Sequence, residues 1–239
     1  MKRLLLVLLG VSLLSFGNSL IAQDLEKVLK NHFKAIGQDK LLKINTITMN
    51  GKILQGGMEF PLKMLMKRPK MLRIESDIQG QTIVQVFDGE NGWMINPMMG
   101  TLEPQDMDAE TVKQLKSQAN IDGELYNYKE KGHKIEDLGT DEIEGTKVYK
   151  FKFTGKEGNE TTYFIDANTY LIVKSITKRT IQGVEMDSEN TYSNYKTVKG
   201  ISFPFQITSS MSGQPSAQVI MDTVILDEPI ADSLYIKPQ

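Results

Sequence analysis

Met58-Glu59-Phe60-Pro61-Leu62-Lys63-Met64-Leu65-Met66-Lys67-Arg68-Pro69-Lys70-Met71-Leu72-Arg73-Ile74-Glu75 decides how the chain is read. Phe60, Leu62, Met64 and Met66 alternate with Glu59, Lys63 and Lys67, and Leu72 and Ile74 alternate with Arg73 and Glu75. A period of two marks strands with one dry face and one wet face. Pro69 punctuates the run. Upstream, Ile47, Met49, Ile53 and Leu54 lead into Gly56-Gly57, so the stretch is the second arm of a hairpin. Downstream, residues 82–87 form another apolar strand after Gly80, and Asp88-Gly89 and Asn91-Gly92 are turn signals.

Two segments break this pattern. Asp24 to Ile36 places Leu25, Val28, Leu29, Phe33 and Ile36 on one face of a 3.6-residue period, and Gly37 stops the helix. Pro104 to Ala119 carries Asp106, Asp108 and Glu110 early and Lys113 and Lys116 late, the sense that suits a helix dipole. Strands then resume over residues 148–153, 161–165, 170–180, 184–192, 201–209 and 217–226. The periodicity predicts a long antiparallel meander interrupted by one helix, in a single domain over residues 23–239.

The first 22 residues read as an address. Lys2 and Arg3 precede an apolar run from Leu4 to Leu14, then Ser15, Gly17 and Ser19, as in a secretory signal peptide. The run is shorter than the ~20 residues a spanning helix needs. Cleavage is expected near Ala22, or after Ser19 with Gly17 at the −3 position. The mature chain is then expected to be exported and monomeric.

Composition excludes much chemistry. The chain has no cysteine, two histidines, and 28 basic against 30 acidic residues. Disulfides, thiolate chemistry and a lipid-modified N-terminal cysteine are ruled out, and near-neutral charge speaks against nucleic acid. No nucleophile, metalloprotease or phosphate-loop motif occurs, so neither an enzyme nor a cofactor is expected.

Three stretches carry a family resemblance: residues 68–75 running into Phe87-Asp88-Gly89-Glu90-Asn91-Gly92-Trp93; Tyr195-Lys196-Thr197-Val198-Lys199-Gly200-Ile201-Ser202-Phe203-Pro204-Phe205; and Glu228-Pro229-Ile230 to Asp232-Ser233-Leu234-Tyr235. In this order they resemble the LolA-like superfamily of periplasmic outer-membrane lipoprotein-sorting proteins. The resemblance implies a mainly β (α+β) fold, a strongly curved antiparallel sheet forming an incomplete β-barrel, with an N-terminal and a mid-chain helix covering an apolar cavity. It also implies a carrier of lipoprotein acyl chains or another lipid, with inner-membrane donor and outer-membrane acceptor proteins as partners. The alternative of a different class is a lipid-sensing module that reports to a membrane partner.

Phe60, Leu62, Met64, Met66, Leu72 and Ile74 are the candidate cavity wall, or else plain core. Trp93, Met94, Met98 and Met99 lie in a stretch that Pro97 and Gly100 mark as a loop. That loop is either tucked under the second helix or forms a lip at the mouth, and the single Trp93 would report on it. Arg68 and Arg73, flanking the Pro69 turn, either meet a lipid head group or bridge to Glu75. Glu185, Asp187 and Glu189 share one strand face and either hold a hard cation or pair across the strand, since a turn at Gln182-Gly183 sets Lys178 opposite Asp187. Asp88 is a turn residue. Asp137, Asp141, Glu142 and Glu144 read as a solvated turn. His32 reads as a half-exposed packing residue, and His133 marks a strand start.

Overall fold

The computed structural model describes residues 17–181 and 184–238. The expected signal segment therefore lies outside the described residues as far as residue 16, and the Gln182-Gly183 turn lies outside them too. Helix α1 runs Gly17–Ile36, so it starts before the expected Asp24. At Gly37 the backbone turns left-handed (φ 73°) into the short α2, Gln38–Leu41. A Cβ at Gly37 would run into the Gly200 carbonyl, so only glycine lets this corner sit against the sheet.

The strands are β1 Thr46–Gln55, β2 Met58–Lys67, β3 Met71–Ile78, β4 Gln81–Phe87, β5 Gly92–Asn96 and β6 Thr101–Asp106. Helix α3, Ala109–Gln118, precedes β7 Lys134–Ile143, β8 Thr146–Thr154, β9 Glu160–Asp166, β10 Ile172–Ile181, β11 Val184–Val198, β12 Ile201–Met211 and β13 Gln214–Leu226. Among the described residues they form one antiparallel sheet of thirteen strands, ordered β6-β5-β4-β3-β2-β1-β13-β12-β11-β10-β9-β8-β7. The sheet is two meanders joined where β1 pairs with β13, and it stays open because β6 and β7 are its two edges.

Turn chemistry sets the meander. At Gly56-Gly57, Gln79-Gly80, Glu144-Gly145, Lys199-Gly200 and Ser212-Gly213 both central residues have positive φ. That is the two-residue turn whose twist matches its flanking strands. Register shifts at Asn50/Gly51, Met94/Asn96, Asp137/Thr140, Ile172/Lys174 and Ser209/Ser210 bend the sheet. The edges are guarded against further pairing: β6 carries Pro104, and β7 carries Lys134, Glu136, Asp137, Asp141 and Glu142.

Cross-strand partners point to the same side, so the faces can be followed from strand to strand. Ile47 pairs with Met66 and Leu226, Met66 with Leu72, and Leu72 with Phe87. Ile53 pairs with Val219, Val219 with Ile207, and the neighbouring partners run Ser209–Asn190, Asn190–Ser175, Ser175–Tyr163 and Tyr163–Phe151. Both helices pack on this one face. Leu115 of α3 and Ala119, its C-cap, join Ile47, Leu72, Phe87 and Phe205 in one cluster. Leu25, Val28 and Leu29 of α1 join Phe151, Phe153 and Ile165 in another. On the opposite face Leu65, Val84, Val86 and Trp93 are covered by Ile230 and Tyr235 of the C-terminal segment.

Three expectations need correction. Trp93–Gly100 is not a loop: β5 takes residues up to Asn96, and Pro97 and Gly100 bound only a single 3₁₀ turn, Pro97–Met99. The helix expected from Pro104 starts at Ala109, because Pro104 lies in edge strand β6, where its missing N–H breaks no essential bond. The acidic run expected as a turn is the edge strand β7, with only Glu144 in the turn that follows.

Candidate functional site

The helix-bearing face changes character along its strands. At the end near α2, Ile47, Leu72, Phe87, Ile201 and Leu226 are almost completely buried. Farther along the same strands Met49, Ile53, Met64, Ile74 and Val219 are only partly buried, though packed on the same cluster. On β1, β3 and β13 the core thus gives way to a half-covered apolar strip, while on β2 Leu62 and Phe60, farther along than Met64, stay buried.

Helix α3 is the cover over β3, β4 and β5. Asp108 caps it, accepting from the Thr111 amide and hydroxyl at 2.9 Å each, and these bonds hold its carboxyl below the usual range. The Met107 amide donates to the Gly92 carbonyl at 2.9 Å. A Cβ at Gly92 would come within 2.9 Å of Val112 Cγ2, so α3 rests against bare backbone. Lys113 reaches Glu157 in the β8–β9 turn at 3.3 Å. After α3, Gln38 Nε2 donates to the Asp122 carbonyl at 3.1 Å, and Lys129 pairs with Glu26 of α1 at 2.5 Å. The segment after α3 therefore straps both helices to each other.

Beyond the apolar strip the same face becomes a band of hydroxyl and amide groups. Thr161 pairs with Thr177 at 3.0 Å and Ser175 with Tyr192 at 2.9 Å, while Ser209 donates to Asn190 at 2.6 Å. Burial pushes the Tyr163 and Tyr192 phenols up, so both stay neutral. Ser76 Oγ, across from Leu62, is buried without a partner. The face thus combines two apolar clusters with a band of neutral side chains hydrogen-bonded to one another.

Three solved structures share this architecture over nearly the whole chain. A DUF1329 family protein from Desulfovibrio piger superposes with a TM-score of 0.61 at 12% identity, covering 87% of this chain and 97% of its own. A domain described as an outer membrane lipoprotein-sorting protein, from Vibrio parahaemolyticus, gives 0.60 at 11% identity, covering 88% and 96%. A LolA superfamily protein from Nitrosomonas europaea gives 0.59 at 12% identity, covering 89% and 97%. The fold is LolA-like. At such identities the likeness is one of fold. No family model and no curated protein matches the sequence.

On this LolA-like sheet Phe60, Leu62, Met64, Met66, Leu72 and Ile74 come together on the helix-bearing face, with Met66 and Leu72 in its closed part. Met94 pairs with Gln85, which is level with Ile74 on that face. Trp93 is on the other side: it is buried among Val86, Ile230 and Tyr235, and its Nε1 donates to the Tyr235 carbonyl at 3.1 Å. Met98 and Met99 are exposed at the end of the sheet, on the 3₁₀ turn.

The two arginines are not brought together, and both are engaged. Arg68 donates through Nε to the Ile44 carbonyl at 2.6 Å and through Nη2 to the Leu41 carbonyl at 3.2 Å and to Asp122 at 2.5 Å. Arg73 bridges Glu75 at 2.6 Å and donates to the Leu234 carbonyl at 2.8 Å. Their donors are used within the protein, Arg73 on the face away from the helices.

Asp88 accepts from the Glu90 and Asn91 amides, a turn role. Lys178 lies across from Asp187, as the turn reading requires, and Lys174 pairs with Glu189 at 2.6 Å. His32 is buried rather than half-exposed, its Nδ1 2.8 Å from the Tyr170 carbonyl. His133 precedes β7 and faces Glu124 at 3.3 Å. Two open depressions, of about 600 and 320 Å³, lie outside the helix-bearing face. One is bounded by the Pro69 and Asp88 turns and Tyr235, the other by Lys178, Glu185, Asp187 and Ser212. The hydroxyl band escaped sequence reading because its members are scattered from Thr161 to Ser209. The alternations Thr161/Tyr163, Ser175/Thr177 and Asn190/Tyr192 were the available signal.

Proposed function

We propose that the protein is a non-enzymatic carrier that shelters the acyl chains of a lipoprotein or another lipid on its helix-bearing face, after export to the periplasm with removal of residues 1–22. The observation that carries this reading is the half-covered strip of Met49, Ile53, Met64, Ile74 and Val219 that continues the core beside a helix covering β3, β4 and β5. Methionine is unbranched and polarizable, so it adapts to chains of varied shape. Burying a methylene is worth about 0.8 kcal/mol, so an acyl chain of roughly 14 carbons brings on the order of 10 kcal/mol. A partly built wall can shelter part of that surface and still let go.

The test is native mass spectrometry with lipid extraction on protein purified from its own periplasm. Bound acyl lipid is expected, and Met64→Lys, at a partly buried position, is expected to lose it while remaining folded. A lipid-free mass that stays unchanged when lipids are supplied would rule the carrier out. The same result follows from a folded Met64→Lys variant that retains its lipid.

A further inference from the structure

Four hairpin turns edge the half-open end of the helix-bearing face. They join β5 to β6, β3 to β4, β1 to β2, and β12 to β13, and these hairpins are neighbours in the sheet. No Asp, Glu, Lys or Arg occurs in residues 53–58, 78–87, 91–102 or 203–221. The turns at the opposite end carry Lys67, Arg68 and Lys70, then Asp88 and Glu90, then Lys199. Charge returns at the same end beyond these four turns, with Lys156 and Glu157 between β8 and β9 and Lys178, Glu185 and Asp187 on the facing ends of β10 and β11. The side chains that protrude at the uncharged turns are apolar: Met58 is 51% exposed, Met98 50%, Met99 74% and Leu102 76%.

We propose that this uncharged rim docks the protein on the surface of a zwitterionic lipid bilayer, with Met58, Met98, Met99 and Leu102 entering the boundary between head groups and acyl chains. On the β1–β2, β3–β4 and β5–β6 turns the nearest charges are set back from the tips: Lys52 and Glu59, paired at 2.8 Å, then Asp77 and Glu103; the β12–β13 turn, at Ser212, instead borders Lys178, Glu185 and Asp187. At ~3.3 Å per residue, the first three turns keep an uncharged depth of roughly 5–7 Å. An interfacial element buries its apolar side by about that much. The pairs Gln55–Met58, Ile78–Gln81 and Met211–Gln214 close three of the turns within the ladder, so few backbone groups would be stranded on entry. The three turns between β1 and β6 have no basic residue to attract anionic lipid, and Lys178 beside the fourth lies across from Asp187. The rim turns also have none of the Trp, Tyr or Arg anchors that dominate protein–protein contacts, which favours lipid over a protein partner. Docked in this way, the half-open strip faces the bilayer. The proposal does not depend on the identity of a cargo, because the rim is outside the strip.

The experiment is co-sedimentation of lipid-stripped protein with vesicles of pure phosphatidylcholine and of phosphatidylcholine mixed with phosphatidylglycerol. Binding to both is expected, unchanged by added salt. Met98→Glu/Met99→Glu, at exposed positions, should weaken it at least roughly ten-fold. Met58→Glu, on a separate turn, should weaken it as well, whereas Lys70→Ala at the far end should have no effect. Binding that requires phosphatidylglycerol or disappears in salt would overturn the proposal. So would undiminished binding by Met98→Glu/Met99→Glu. A wild-type protein that ignores vesicles but forms a dimer lost in that variant would show that the rim binds a second copy instead. Met64→Lys should keep docking, so a failure of the carrier reading and a failure of docking are read separately.

Discussion

Arg68 Nη2 lies 2.5 Å from Asp122 Oδ1, linking the β2–β3 turn to the segment that follows α3. The same side chain donates to the Ile44 and Leu41 carbonyls. One guanidinium thus holds sheet, α2 and helix strap together. Arg68→Ala leaves Asp122 and two carbonyls without their donor and is expected to cost about 2–3 kcal/mol. Asp122→Asn should cost less, because both carbonyl bonds survive. Urea denaturation of the two variants measures the difference, and equal losses would contradict this account.

Trp93 is buried on the face away from the helices, against Tyr235, whose phenol is pushed up to about 12 chiefly by burial. Its emission should be blue-shifted and indifferent to lipid on the helix-bearing face. Tyr235→Ala should shift the emission to the red and cost roughly 3–5 kcal/mol. A lipid-dependent Trp93 signal in the wild type, with Tyr235→Ala unchanged, would contradict the placement.

His32 is held neutral, chiefly by burial, which lowers its pKa from the ordinary 6.5; the bond with the Tyr170 carbonyl opposes that shift in part. The unfolded chain therefore binds the proton first as pH falls. The stability contribution is complete above pH 6.5 and is lost as pH falls from there through the folded pKa. His32→Gln should flatten the stability slope over that window. Thermal melts at several pH values decide it, and an unchanged slope in the variant would refute the assignment.

Gly92 is the surface on which Met107 and Val112 rest. Gly92→Ala should push α3 outward and leave the sheet intact. Hydrogen exchange is expected to rise in residues 109–118 while β1, β2 and β13 stay protected. Uniform loss of protection would show instead that α3 belongs to the global folding unit.

Local signals were legible where the physics is local. The Gly56-Gly57 hairpin and the Lys178–Asp187 register follow from alternation and turn residues, and the structure has both. Elsewhere a sound local rule was outweighed. Edge strand β7 looks like a turn because protection against edge pairing fills it with charge, leaving little apolar alternation to read. Pro97 and Gly100 suggested a loop across residues 93–100, yet they bound a single 3₁₀ turn, since β5 needs only five residues to pair with β4. The wall residues of β2 and β3 could be grouped from their period, whereas Trp93 could not be assigned a side. One residue of register decides between the faces of a strand.

By itself, then, the sequence determined the strands, most of their turns and the apolar face of each, because period-two patterning and left-handed turn residues act within a few positions. It also determined that some turns are charged and others are not. Tertiary structure alone decided that Ile53 meets Val219 to join the two meanders, that α1 and α3 share a face, and that the uncharged turns gather at its open end. Such pairings bring together residues far apart in the chain, and they are selected by the burial of shared surface, which no local pattern encodes.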